Sequence, residues 1–366
     1  MTREKRFGDM AEVAIVVPFY NAGELFRRCL LSIQAQTMKD FIVVLVDDRG
    51  RDKSIDVARE FARVDKRFIV LRNPKNMGAG ASRNQGIEWV LGGINCKYIS
   101  FVDADDFIAP DFLERLVNAA KKTKSPIAVG RGILCKSDGE TETFGQAITA
   151  KNGVFVKPLE KLKGYVCWGR IFSIALIKKY NLRFPVDPNN ILMWGEDWFF
   201  AFQAAAYSER VVCDNMAIYF YCENPNSCFL GEIAKKNNKA HSDVLTRFKM
   251  FADWCRTAPV AGQKEYEKFA RKIFLDNTIN FLSICDDAIY SQQAYARLRL
   301  VLLEFPSEFR RIAKEHDYLK GRVENILAAE TAKDFLRTEK IRALKNKARA
   351  VADRLTWGWT SRGKEE

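Results

Sequence analysis

The chain has 366 residues, 48% of them apolar and 29% charged, and carries a formal net charge of +13. That length accommodates a catalytic domain plus an accessory one, and that apolar content excludes a disordered or fibrous chain. The positive balance implies attraction to something anionic: nucleic acid, an acidic membrane surface or phosphorylated substrates.

Residues 1–12 read as a charged leader with no apolar segment behind Met1–Arg6 of the kind a signal peptide has, so a cytoplasmic protein is expected. Val13–Val17 then reads as a buried strand stopped by Pro18, with Phe19, Tyr20 and Asn21 as its loop. Leu25, Phe26, Cys29, Leu30 and Ile33 recur at helical spacing, predicting a helix from Leu25 to Gln36. Phe41–Val46 is a second continuous apolar strand and ends abruptly in Asp47-Asp48-Arg49-Gly50. A helix over Ser54–Arg63 leads to a third strand, Phe68–Leu71. This cadence, with apolar rather than alternating strands, predicts an α/β fold: a mostly parallel sheet with helices on both faces, binding ligands at the carboxyl ends of its strands. The longest apolar runs fall far short of a membrane span.

Three strand ends carry groups capable of chemistry. Tyr20 offers an aromatic face and Asp47 and Asp48 offer acceptors. The apolar stretch Tyr98–Val102 delivers Asp103, Asp105 and Asp106, three carboxylates within four positions. Oxygen ligands in that arrangement suit a hard cation, Mg²⁺ or Mn²⁺, because like charges this close raise one another's pKa unless a cation compensates. The same residues also read as a turn in which Asp105 or Asp106 caps a helix beginning near Pro110. Between these strand ends, Asn73–Ile87 is a glycine-bearing loop entering a helix, where the helix start and Arg83 could meet a phosphate. It is not a dinucleotide fingerprint, since its glycines do not follow the first strand.

Beyond Ser125, Ile127–Gly130 and Ile133–Leu134 predict short strands, and Asp138-Gly139 predicts a hairpin. Further on, Glu196-Asp197 opens a helix with Trp198, Phe199, Phe200 and Phe202, readable as an acidic first turn or as a catalytic carboxylate. Only His241 and His316 are available as histidines, so acid–base work falls to carboxylates. The nine cysteines contain no Cys-x-x-Cys pair, so neither a disulfide framework nor a zinc site is indicated. The last 130 or so residues read as basic helices. Ile341, Leu344, Ala348, Val351 and Leu355 form an apolar seam among Lys and Arg residues before Trp357 and Trp359, which fits an anchor on an anionic membrane or a pairing helix.

Several of these fragments together resemble the family 2 glycosyltransferases of the GT-A fold. They are Pro18-Phe19-Tyr20-Asn21, Ser32 to Thr37, Val46-Asp47-Asp48 with Asp52 and Ser54, Asn76-x-Gly78 leading to Ser82-Arg83-Asn84-x-Gly86, Phe101 to Asp106, and Trp194 to Phe200. The resemblance covers roughly the first 230 residues. It implies a donor-binding half over 13–125, an acceptor-binding half over 126–230 and a helical C-terminal region over 231–366. It also implies an inverting transfer from a UDP-sugar to a hydroxyl of a glycan or lipid-linked glycan, as in lipopolysaccharide or capsule synthesis. Carried over by position, Tyr20 stacks on the base, Asp48 accepts from uracil and Arg83 lies beside the base or phosphates. Asp103 holds the ribose, Asp105 ligates Mn²⁺ or Mg²⁺, and Pro18, Asn21 and Asn76 complete the nucleotide-sugar site. Asp197 is the expected catalytic base. The partners expected beyond donor and acceptor are an anionic membrane surface at residues 340–359, or a second copy of the chain, and not nucleic acid.

This chain departs from the family in three places. Arg49-Gly50-Arg51 stands where Gly-Ser-Thr is usual, Arg170 where Lys is common, and Cys222 where an Arg often follows the tyrosine. A phosphate contact from that Arg must then come from Arg49 or Arg51, or be absent. Two other readings are a nucleotidyltransferase acting on sugar phosphates, which needs no counterpart of Gly195-Glu196-Asp197, and a basic nucleic-acid-binding protein, whose usual motifs are missing.

Overall fold

In the computed structural model the described residues are 11–136, 138–143, 152–156, 166–186, 196–224, 254, 295, 296, 299, 302, 303, 306–315 and 321–339. The chain divides into two compact units, 1–236 and 237–366. The described part of the first is an α/β sheet structure. In chain order its strands are β1 (Ala11–Phe19), β2 (Phe41–Asp47), β3 (Phe68–Arg72), β4 (Cys96–Phe101), β5 (Phe107–Ile108), β6 (Ile127–Cys135), β7 (Thr141–Thr143), β8 (Gly153–Val156), β9 (Arg170–Ser173) and β10 (Arg210–Cys222). Its helices are α1 (Leu25–Gln34), α2 (Ser54–Val64), α3 (Ala79–Leu91), α4 (Phe112–Thr123), α5 (Ile174–Tyr180) and α6 (Glu196–Ala206).

The strands lie in the order β3-β2-β1-β4-β9-β6-β10-β5, with β7 on β6 and β8 on β10. The first four are mutually parallel. Beyond β4 the sheet is mixed: β9 runs antiparallel to both β4 and β6, while β10 is parallel to β6 and antiparallel to β5. The parallel half explains the continuous apolar strands, which are covered on both faces. On one face Ile15 and Val17 of β1 pack with Phe26 and Leu30 of α1 and Leu113 and Leu116 of α4. On the other, α3 crosses β1 so closely that a Cβ on Gly86 would meet the Val16 side chain at 2.4 Å, which only glycine permits. Phe101, Phe172, Phe184 and Phe200 form an aromatic cluster, with Phe184 stacked on Phe200 at 4.2 Å and Phe101 edge-on to both.

Several local expectations shift. β1 runs through Pro18 to Phe19; Pro18 lies beyond the last β1–β4 pair, Val16 with Phe101, so its missing N–H removes no ladder bond there. Helix α1 stops at Gln34, and the fully buried Gln36 leaves it to serve α4. Its Oε1 accepts the Leu113 N–H at 3.1 Å while its Nε2 donates to the Ala109 carbonyl at 2.7 Å. The two short strands predicted after Ser125 are one strand, β6. Asp138-Gly139 does form a turn between β6 and β7, with Gly139 at φ +88°. Neither Asp105 nor Asp106 caps the following helix, because α4 begins at Phe112 after Asp111.

In the second unit, α7 (Pro306–Glu315), α8 (Arg322–Ala328) and a helix over 332–339 are described. The buried Tyr295 hydroxyl lies 2.7 and 2.9 Å from the carbonyls of Ile326 and Ala329, and its ring stacks on Phe335. The basic seam expected over 340–359 and both histidines lie outside the described residues. Among the described residues no helix is long and apolar enough to cross a membrane.

Candidate active site

The parallel strands end along one edge of the sheet, and the loops there are tied to one another. Asp52 and Ser54, at the start of α2, accept the N–H groups of Gly23 and Ala22 from the β1–α1 loop at 3.1 and 3.0 Å. Asn21, at φ +48°, accepts the Arg51 N–H on its Oδ1 at 2.6 Å. Tyr20, just before it, is 46% exposed, so its ring is open to a stacking partner. Arg49 does not reach outward: its Nε donates to the carbonyls of Asn73 and Pro74, gripping the β3–α3 loop.

Asp48 is 4% exposed and organises that same loop. Its Oδ1 accepts from Asn73 Nδ2 at 2.7 Å and the Met77 N–H at 2.8 Å, and its Oδ2 accepts the Gly78 N–H at 2.8 Å. Three donors on two oxygens leave room for one further bond. Asn76 Oδ1 also lies 3.3 Å from the Gly78 nitrogen, and Gly78 itself stands at φ +87°, a conformation that favours glycine. Asp48 and Asn76 therefore shape the floor of the site beside Tyr20.

After β4 the chain turns through Asp103, Ala104, Asp105 and Asp106, closed by a bond from the Asp106 N–H to the Asp103 carbonyl. Asp106 is fully buried and points away from solvent: its Oδ2 accepts the Tyr219 hydroxyl at 2.7 Å and its Oδ1 the Cys222 N–H at 2.8 Å. The same hydroxyl accepts the Asp103 N–H at 3.1 Å. Burial, then the neighbouring Asp105 and Asp103, holds the Asp106 carboxyl well above the usual range. Trp168 stacks on Tyr219 at 4.6 Å and on Tyr221 at 5.4 Å, backing the turn with a rigid wall. Asp105 is held by Asn224, whose Nδ2 donates to its Oδ2 at 2.9 Å. Burial first and Asp103 second push its carboxyl up.

Asp103 faces the other way, toward Arg83. That guanidinium, 5% exposed, donates from Nη2 to Asp103 Oδ1 at 2.7 Å and from Nη1 to Glu196 Oε1 at 2.9 Å. It lies over the Phe184 ring at 5.3 Å. Arg83 thus joins the donor-side turn to the first residue of α6, and the next residue is Asp197. Helix α6 is fixed by Phe200 within the aromatic cluster. Burial first and the Glu196 carboxylate second push the Asp197 carboxyl up to about 7, against the pull of Arg83. A carboxylate poised there is suited to taking a proton at neutral pH.

Of the residues singled out by sequence, Tyr20, Asn21, Asp48 and Asn76 gather at one end of the site and Asp103 and Asp105 at its centre. Asp197 connects to them through Glu196 and Arg83. Tyr219 and Asn224 were not singled out, while Asp106 was read as a cation ligand or helix cap and Glu196 as part of an acidic first turn, and their parts here differ. Their partners are 113 to 119 positions away in sequence, so no local spacing marks them.

Residues 14–183 match the Glycosyl transferase family 2 model. The putative glycosyltransferase EpsH of Bacillus subtilis is 31% identical over 214 residues, covering 57% of this chain and 60% of that protein. The poly(ribitol-phosphate) beta-glucosyltransferase of Bacillus spizizenii is 29% identical over 220 residues, covering 57% of this chain and 32% of that protein. The chain therefore spans three fifths or less of the length of these curated relatives. Among solved structures, S. aureus TarS residues 1–349 in complex with UDP-GlcNAc has a TM-score of 0.69 at 16% identity, covering 91% of this chain and 92% of that one. The fold and the sequence match agree: residues 14–183 are similar to glycosyl transferase family 2, within a sheet that has the GT-A fold of the TarS neighbour.

Proposed function

We propose that the protein is a metal-dependent inverting glycosyltransferase that moves a sugar from a UDP-sugar to a hydroxyl of a surface glycan or lipid-linked glycan. The observation that carries this reading is Asp197: a carboxyl pushed to about 7, on a helix tied through Glu196 and Arg83 to the strand end that bears Asp103 and Asp105. A nucleotidyltransferase has no use for such a base, and it would release pyrophosphate instead of a nucleoside diphosphate. The UDP and UDP-GlcNAc complexes of the TarS neighbour support uridine as the donor base.

Tyr20 stacks on the base, with Pro18, Asn21, Asp48 and Asn76 around it. Asp103 accepts from the ribose and keeps Arg83 in register. Asp197 then takes the proton of the acceptor hydroxyl as that oxygen attacks the anomeric carbon, and the diphosphate leaves from the opposite face. A divalent cation fits at Asp105, whose carboxyl is destabilised by burial and by Asp103 and is relieved by positive charge. Among the described residues no cluster of three or more His, Cys, Asp or Glu side chains is arranged as a metal cage, so the other ligands would be diphosphate oxygens and water. When bound, Mn²⁺ or Mg²⁺ neutralises charge on the leaving diphosphate.

Replacing the base tests the reading directly. Asp197→Asn keeps UDP binding, measured by calorimetry, and lowers the rate of transfer at saturating donor by about 10²- to 10⁴-fold. Turnover near that of the parent enzyme would sink the assignment.

A further inference from the structure

We infer that Arg28, on the first turn and a half of α1, grips the diphosphate of the sugar donor in a cleft that opens beside Asp105. The inference rests on the glycosyltransferase reading and deepens it. The cleft, of about 450 Å³, lies between the β1–α1 loop and the ends of β6 and β10, with Asn21, Glu24, Arg28, Glu223 and Asn224 among its lining. That volume is in the range of small-ligand sites. The chain passes directly from Tyr20 to Asn21, so the cleft begins where the proposed base site ends. At its far side Asn224 bonds the Asp105 carboxylate and Arg28 bonds the Asp105 carbonyl, so a group held here sits against the proposed metal ligand.

The guanidinium of Arg28 is held in place by neighbours that leave its charge intact. Nη2 donates to the Asp105 carbonyl at 3.2 Å and to Cys222 Sγ at 2.9 Å, and the group stacks over the Phe107 ring at 4.6 Å. Burial, then Asp106, pushes the Cys222 thiol up to about 12, so at neutral pH it accepts this bond as a neutral thiol. Among the described residues no carboxylate forms an ion pair with Arg28, and no bond uses its Nε or Nη1. The neighbouring arginines are committed elsewhere: Arg27 pairs with Glu60, Arg83 with Asp103 and Glu196, and Arg49 with loop carbonyls. Arg28 therefore offers a fork of donors on the cleft wall, the geometry that binds phosphate oxygens bidentately. Lys136 on the same lining is paired with Glu140 and Glu142, which leaves the phosphate to Arg28, and the Glu24 carboxylate suits a hydroxyl group beside it.

The test is to titrate UDP and uridine, each with Mn²⁺ present, into the full chain and into Arg28→Gln and Arg28→Lys. The expected result is that Arg28→Gln weakens UDP by about 10- to 100-fold, since a hydrogen bond to a charged group contributes about 1.5–3 kcal/mol. Uridine affinity stays the same, and Arg28→Lys recovers part of the loss. Unchanged UDP affinity in Arg28→Gln overturns the inference. So does an equal loss for UDP and uridine, which would mean that Arg28 only shapes the site. Failure of the parent chain to bind either ligand refutes the UDP-sugar donor reading on which the inference rests, a result distinct from both.

Discussion

Arg83 carries two carboxylates on one guanidinium, and this arrangement sets the chemistry of a third. Burial is the largest cause of the raised Asp197 carboxyl, Glu196 raises it further and Arg83 lowers it, so the state of Asp197 depends on these two neighbours. The sign of the pH dependence follows. A base must be unprotonated to act, so transfer at saturating substrate declines as pH falls through about 7. Glu196→Gln removes a like charge while retaining an amide that can still meet Arg83, so the acid limb of the rate profile moves to lower pH. An unmoved limb would show that another group limits the rate. The sequence pointed to Asp197 and Arg83 separately, through family resemblance; their connection through Glu196 depends on a contact across 113 positions.

At the scale of elements, β10 does more than extend the sheet. It brings Tyr219 and Cys222 to the Asp103–Asp106 turn, where one hydroxyl serves the Asp103 N–H and the Asp106 carboxyl together. Tyr219→Phe preserves the ring stacked on Trp168 but leaves both groups buried without that partner. The expected cost is about 1–3 kcal/mol of stability, read by denaturant unfolding, accompanied by weaker Mn²⁺-dependent UDP binding as the turn loosens. Unchanged stability would mean that water replaces the hydroxyl. Asp106, readable from sequence as a helix cap, is instead the buried end of this network, because α4 starts six residues later with its first turn served by Gln36.

For the whole molecule, the charge of +13 favours an anionic surface. The segment expected from sequence to meet one is 340–359. The structure defines where to cut: Phe335 packs on Tyr295, so truncation after Glu339 spares the described helices, whereas ending near Glu330 would remove the helix over 332–339 that carries Phe335. In flotation with vesicles containing anionic lipid, the full chain is expected to float and the chain ending at Glu339 to remain below, with the difference fading as salt rises. Equal flotation of both would reject the anchor.

By itself the sequence determined what repeats locally. Continuous apolar strands alternating with amphipathic helices specify the parallel half of the sheet, because each strand is buried on both faces and each helix on one. Strand-end motifs also located Tyr20, Asp48, Asp103 and Asp105 on a common edge, since parallel strands deliver their carboxyl ends together. Tertiary structure alone decided how each polar group is used. Asp48 serves the β3–α3 loop, Arg49 turns onto carbonyls, Asp106 meets Tyr219, and Arg28 emerges from an ordinary amphipathic helix beside Asp105. Those choices depend on partners far away in sequence. A buried polar group must find a hydrogen bond, but only the assembled fold determines which one is within reach.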